Sequence, residues 1–263
     1  MSADTPLLSI RDLEIEIRGR RLVDVADLAV ARGEIVGLVG ESGAGKSLLL
    51  SSIIGLLPAD ATVRGSITFD GIELRGAPDR LLRSVRGRRI TVVLQAARAA
   101  LTPTLRAGAW IERALVLHRV PAAERRARVA HALDAVRLDP ALMSRYPHQL
   151  SGGEAQRVAV ALAVALRAEL VLADEATSAL DVTVQAEVAE LFRDLRAREG
   201  TSFLIVSHDL ALVAGLADRI DIIADGSIVE RGGPSVLSDP HHQVTHDLVA
   251  ANPTLERVQE TAL

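Results

Sequence analysis

Gly40-Glu41-Ser42-Gly43-Ala44-Gly45-Lys46-Ser47 is the stretch with the most evident chemistry. It has the G-x-x-x-x-G-K-[ST] spacing of a phosphate cradle. Glycines let the backbone N–H groups converge on a polyphosphate, lysine reaches the outer phosphates, and serine offers its hydroxyl to Mg²⁺. Lys46 is the chain's only lysine; every other member of the 30 Lys+Arg is arginine. A compact ammonium on a thin stem suits the inside of such a loop, where a planar guanidinium would crowd it. Gly40 to Leu48 is therefore taken as a nucleotide site.

A phosphate loop works only between a strand and a helix. Ile35 to Val39 is an apolar run that fits a buried strand, and Leu48 to Leu57 fits a helix stopped by Pro58. Three further apolar runs end in polar residues: Ile90–Leu94 at Gln95, Leu170–Ala173 at Asp174-Glu175, and Phe203–Val206 at Ser207-His208, while Ile220–Ala224, Asp225-Gly226 and Ser227–Val229 read as a hairpin. Short buried strands alternating with helices imply a largely parallel sheet, with ligands outside the carboxyl ends of its strands. Gln95, Asp174, Glu175 and His208 are then expected to serve one site with the phosphate loop. Asp174 at a strand end suits a Mg²⁺ ligand, and Glu175 is placed to polarise water. Residues 7–34 read as β-structure, Ile67–Leu74 around Asp70-Gly71 as a hairpin, residues 106–167 as mostly helical, Val182 onward as an amphipathic helix, and residues 251–263 as a fraying tail.

Composition sets the limits. The chain has 263 residues, 49% hydrophobic and 24% charged, with net charge −4. That length buries about three quarters of the unfolded surface in a core. An overall negative charge gives no reason to bind nucleic acid. Arginines cluster at Arg80, Arg83, Arg86, Arg88 and Arg89 and at Arg125, Arg126 and Arg128, but acidic neighbours and helical spacing fit solvated faces. No cysteine is present, which excludes disulfides and Cys-ligated zinc or iron–sulfur centres. The N-terminus lacks the basic and apolar regions of a signal peptide, and the longest apolar run, Val158–Leu166, falls far short of the ~20 residues that span a bilayer. His242 and His246 stand at i, i+4, a spacing open to metal binding, although a polar surface segment fits them better.

Leu150-Ser151-Gly152-Gly153-Glu154 opens a second helix, Ala155–Arg167. Alone it reads as an ordinary capped helix start. With the phosphate loop, Gln95, the Asp174-Glu175 strand end, Ser178-Ala179-Leu180-Asp181 and His208 in this order, the chain resembles the nucleotide-binding subunits of ABC transporters over residues 7–250. Asp174 to Gln185, Gln95 to Thr104 and Pro240 to Thr245 resemble the peptide/nickel importer branch.

The resemblance implies an α/β P-loop NTPase fold. A β subdomain (7–34 and 62–76) and an ATPase core (35–95 and 166–230) are joined by a helical subdomain (97–165) and a C-terminal segment (231–263). It implies ATP and Mg²⁺. Residues 40–48 bind ATP, and Ser47, Gln95 and Asp174 arrange the metal. Glu175 acts on the water, His208 contacts the γ-phosphate, and Ile17 occupies the adenine-stacking position, where an aromatic is usual. Ser151, Gly152, Gly153 and Asp181 face nucleotide held by a second ATPase subunit. Two permease subunits complete the complex at the cytoplasmic face of the membrane, fed indirectly by a substrate-binding protein, for uptake of peptides, nickel or metal chelates. Glu154 departs from the usual glutamine or methionine, a change the resemblance is expected to tolerate. An exporter's ATPase remains an alternative. A non-transport ABC ATPase fits less well, because the 105 residues from Lys46 to Ser151 contain no long coiled coil or zinc module.

Overall fold

The computed structural model describes residues 5–176 and 182–252. In chain order the elements are β1 (Leu8–Ile17), β2 (Arg20–Val30), β3 (Ile35–Val39), α1 (Lys46–Ile53), β4 (Ala61–Phe69), β5 (Ile72–Glu73), α2 (Asp79–Val85), β6 (Ile90–Leu94), α3 (Ala97–Ala100), α4 (Ala107–Leu117) and α5 (Ala122–Ala135). Then follow α6 (Gly152–Leu166), β7 (Leu170–Asp174), α7 (Val182–Glu199), β8 (Ser202–Val206), α8 (Leu210–Leu216), β9 (Arg219–Ala224), β10 (Ser227–Gly232) and α9 (Gln243–Ala250). The chain divides into two compact units, residues 1–82 with 202–263, and residues 83–201.

The first unit contains an antiparallel sheet in the order β2-β1-β4-β5 and the strands β10-β9-β3-β8, in which β3 runs parallel to both β8 and β9. β3 and β8 are buried along their whole length, as expected of strands covered on both faces. Three two-residue turns, Arg18-Gly19, Asp70-Gly71 and Asp225-Gly226, have positive φ at both positions. That is the twist a tight hairpin needs. The last two carry the usual Asp-Gly signal. The first does not, which is why the β1–β2 turn is not evident from sequence.

Gly37 of β3 lies so close to α8 that a Cβ would come within 2.3 Å of Val213 Cγ1. Only glycine lets that helix seat on the strand carrying the phosphate loop. At the opposite end of β9, Asp221 is fully buried and accepts from Arg219 (3.0 Å) and Arg231 (2.9 Å). Those arginines also bind Glu34 (2.7 Å) and Asp27 (2.6 Å). A buried carboxylate needs such company, since removing one partner leaves an uncompensated charge.

In the second unit β6 and β7 pair in parallel, Leu94 opposite Asp174. Arg89 and Glu169 at their N-terminal ends form a two-point ion pair. α6 is buried along most of its length and packs against α3, α4 and α5.

α1 starts and stops earlier than its sequence suggests. Gly55 (φ +63), not Pro58, ends it: Gly55 N–H donates to Ser52 O (3.0 Å) and Leu56 N–H to Ser51 O (2.8 Å). This paired closure around a left-handed glycine is a strong stop signal.

Candidate active site

The phosphate loop leaves β3 at Gly40, where a Cβ would lie 2.1 Å from Ile223 O. Gly43 and Gly45 have φ of +87° and +97°. A Cβ at Gly45 would also press on Leu22 O at 2.8 Å. The loop therefore has two places where a side chain is excluded by backbone, and a third residue held in the left-handed region. α1 begins at Gly45 with no capping side chain and no acid in its first turn. Its first N–H groups and positive dipole end are thus offered to an anion. Lys46 is 7% exposed, and its Nζ donates to Gly40 O and Glu41 O, both at 2.7 Å. These carbonyls hold the ammonium over the cradle. Ser47 is exposed on the first turn, and Leu48 is half-buried beside it. The loop fits a triphosphate.

His208 belongs to the same unit. β3 and β8 pair Leu38 with Val206, so Gly40 and His208 each lie two residues past a paired position, at the same edge. Ser207 beneath is buried, and its Oγ accepts from Asp209 N–H (3.0 Å); Asp209 in turn caps α8 through Leu212 N–H (3.0 Å). These bonds fix the backbone on both sides of the exposed imidazole. Ile17 ends β1, half-buried. Its neighbour Arg18 reaches Asp60 at 3.0 Å.

The second unit gathers its own set. Gln95 and Glu175 each follow the paired Leu94 and Asp174 by one residue, so Gln95, Asp174 and Glu175 crowd one edge of β6–β7. Glu175 has φ +48°. An L-residue in the left-handed region is strained, a condition that clusters at functional sites. Among the described residues no three His, Asp or Glu side chains are grouped to hold a metal alone. Mg²⁺ is usually bound by one or two carboxylates plus substrate phosphates; each unit by itself offers an oxygen donor of that kind, the Ser47 hydroxyl in the first and the Asp174 carboxylate in the second.

Ser151 caps α6. Its Oγ accepts from Glu154 N–H (3.1 Å), and Glu154 Oε2 accepts from Ser151 N–H (2.6 Å). Gly152 begins the helix, and Gly153 packs against α7, where a Cβ would meet Val184 Cγ1 at 2.8 Å. Arg98 of α3 donates to Leu150 O, just ahead of the cap. That link joins residues 52 apart and leaves no sequence signal. Asp181, and the Ser178–Asp181 stretch it closes, lie outside the described residues.

His242 uses Nδ1 to accept from Val244 N–H (3.2 Å) at the start of α9. Glu230 of β10 accepts from the N–H groups of His241 (2.8 Å) and His242 (3.1 Å) and from the Thr245 hydroxyl. Burial pushes the Glu230 carboxyl up, but these donors outweigh it and hold it below the ordinary glutamate range. His242 is thus a structural cap in the described chain.

The ABC transporter family model matches residues 23–178, from β2 through the strand ending at Asp174-Glu175. The chain belongs to the ABC transporter family. It is 42% identical over 258 residues to a peptidoglycan transport ATP-binding protein of Agrobacterium fabrum, covering 94% of this chain and 47% of that one. It is 36% identical over 272 residues to an oligopeptide transport ATP-binding protein of Bacillus subtilis, covering 94% and 76%. The chain thus spans about half the length of the first of these relatives. Among solved structures, a dimeric ATP-binding cassette in a post-hydrolysis state bound to ADP and Pi aligns with TM-score 0.76 and 28% identity, over 86% of this chain and 98% of that one. The cbiO1 protein of Clostridium perfringens, part of the ABC transporter complex cbiONQ, aligns with TM-score 0.80 at 23% identity over 98% and 100%, a likeness of fold. As an ABC cassette, this chain has the α/β P-loop NTPase fold.

Proposed function

We propose that this ABC chain is the ATP-hydrolysing subunit of a peptide importer, working with a second ATPase subunit and two permease subunits at the cytoplasmic face of the membrane. The observation that carries the ATPase reading is the uncapped, glycine-cradled start of α1 with Lys46 held over it. The cargo class rests on the printed names of relatives such as the Bacillus subtilis protein; nickel and metal chelates are the second cargo to try.

In this reading the phosphate loop, Gly40 to Leu48, holds the triphosphate. Ser47, Gln95 and Asp174 would hold Mg²⁺, which would supply positive charge beside the phosphate oxygens. Glu175 draws the proton from the attacking water, and His208 orients the terminal phosphate. Ser151, Gly152, Gly153 and Asp181 serve the nucleotide of the second subunit. Among the described residues no helix is long and apolar enough to cross a membrane, so passage of cargo falls to the permeases.

The test is turnover by the complex co-purified with its membrane subunits. Glu175→Gln is expected to retain ATP binding and to lower turnover at least ~10²-fold, as loss of a general base does. Turnover within threefold of wild type would remove Glu175 from the role. Uptake of a peptide panel, against nickel and metal chelates, tests the cargo.

A further inference from the structure

α4 is apolar on two sides. Ala107, Ile111 and Leu115 are buried, and α4 packs on α5, α6 and the turn Pro140–Ser144. At 3.6 residues per turn, Arg106, Trp110, Arg113 and Leu117 fall together on a side turned away from that one, with Val116 at its margin. This side is open: Leu117 is 70% exposed and Val116 48%. Arg106 and Arg113 are exposed, and Trp110, the chain's only tryptophan, is half-buried. Glu112 lies about 100° further round the helix and interrupts neither group.

Two more arginines stand at the C-terminal end of the helix. Arg119 is exposed just beyond it. The Gly87 backbone lies against the His118 imidazole, where a Cβ would be 2.4 Å from Nε2, and this brings Arg88 alongside. Burial, and then the Arg88 charge, hold the His118 imidazole below its usual range. Among the described residues Arg88, Arg113 and Arg119 have no carboxylate within ion-pair distance, whereas Arg89, Arg128, Arg137 and Arg157 of the same unit do.

We propose that the open side of α4 rests on an anionic lipid surface. Tryptophan and aliphatic residues interleaved with arginine on one helix face make up the composition that settles at the headgroup boundary. Arginine stems can lie on the apolar layer while the guanidinium groups reach headgroup phosphates. The chain's net charge of −4 gives no general attraction to such a surface, so contact has to come from this local cluster. Each arginine near an anionic leaflet is worth about a fivefold gain in partitioning. One short helix side with the uncompensated Arg113, and Arg119 just beyond the helix end, therefore binds weakly and orients a subunit that a permease also holds. The inference goes beyond the ATPase reading and does not depend on the cargo.

The test uses the full chain with sucrose-loaded vesicles of phosphatidylcholine alone or with 30% phosphatidylglycerol. Co-sedimentation is expected to be at least tenfold greater with the anionic vesicles and to be lost in 0.5 M salt. Trp110 fluorescence should shift to the blue and be quenched by brominated lipid, a signal no other residue can give. Arg113→Glu and Leu117→Ser should each lower partitioning at least fivefold without changing the melting temperature, and Arg198→Glu, on the exposed last turn of α7, should not. Equal partitioning to both vesicles, an unmoved Trp110 emission in the sedimented protein, or an equal effect of Arg198→Glu would overturn the proposal. So would release of the subunit from its permeases by Arg113→Glu with no vesicle binding, which would assign this side to a protein partner. ATP turnover in the same samples reports the ATPase reading separately.

Discussion

α1 and α6 both begin at glycine-rich turns, and they close their first turns in opposite ways. α1 has a left-handed glycine at its cap, no capping side chain and no acid. α6 is closed from within: Ser151 and Glu154 each accept the other's backbone N–H. The first end has no side chain closing it and gains a cation from Lys46. The second has satisfied two donors and placed a carboxylate on its own dipole. Similar glycine patterns thus give one end that attracts a polyanion by itself and one that does not. This difference gives a physical ground for the proposed division of labour, in which α6 acts on nucleotide that another subunit already holds.

The comparison breaks most visibly at Lys46. Lys46→Ala should weaken ATP binding by at least ~10²-fold, as expected when a desolvated charge-assisted contact is lost. Lys46→Arg should fail to restore it, because the wider guanidinium does not fit between Gly40 O and Glu41 O. ATP titration of the purified chain checks both, and an arginine variant that binds normally would refute the steric argument.

Ser151→Ala probes the other end. Loss of the cap should cost about 1 kcal/mol, a fall of roughly 2–4 °C in melting temperature. ATP affinity of the isolated chain should stay within twofold, while turnover of the assembled complex falls about tenfold. Weakened binding in the isolated chain would erase the distinction between the two helix starts.

Glu154→Gln is a finer probe. The amide oxygen can still accept from Ser151 N–H, so the closure survives and only the charge goes. Stability should drop by a few tenths of a kcal/mol with the lost dipole interaction. Turnover of the complex should rise, by no more than about threefold, as a negative charge leaves the approach of a phosphate. A fall in turnover would mean that the carboxylate contributes more than a cap.

The start of α9 shows a third solution, in which the acid comes from another element. Glu230 holds the N–H groups of His241 and His242. Its carboxyl is depressed in the folded chain, so the stabilisation is present above the ordinary glutamate pKa of 4.5 and is lost as pH falls below it. Hydrogen exchange should therefore show α9 loosening below about pH 4.5 ahead of the buried strands, with Glu230→Gln already loose at pH 7. An α9 equally protected at both pH values would count against the link.

Much of the candidate site is legible in the sequence because its signals are local. The glycine spacing of residues 40–47 and the polar residues ending β6, β7 and β8 can be read without knowing what lies nearby. What was not legible depends on distant contact or on backbone conformation. Gly153 reads as part of an anion site, yet its lack of a side chain is also required by Val184 thirty-one residues on. Arg98 looks like a surface residue until Leu150 O is found beneath it. Nothing in the sequence around Arg18 announces that its guanidinium reaches Asp60, forty-two residues on. Pro58 drew attention as the end of α1, although Gly55 had already turned the chain. The strain at Glu175 has no sequence counterpart, since glutamate is not a residue that favours positive φ.

The solitary lysine turns the phosphate loop into its own reporter. Lys46 carries the only side-chain amine, almost buried and bonded to two carbonyls. An acylating reagent can modify a side-chain amine only at this spot, and only in the moments when the ammonium lets go of Gly40 and Glu41. The speed of that labelling is a clock for loop opening that needs no engineered probe, and bound nucleotide should stop it. A lysine-specific protease likewise has a single bond to cut, so the fraction of chain cleaved after residue 46 counts how often the cradle comes apart.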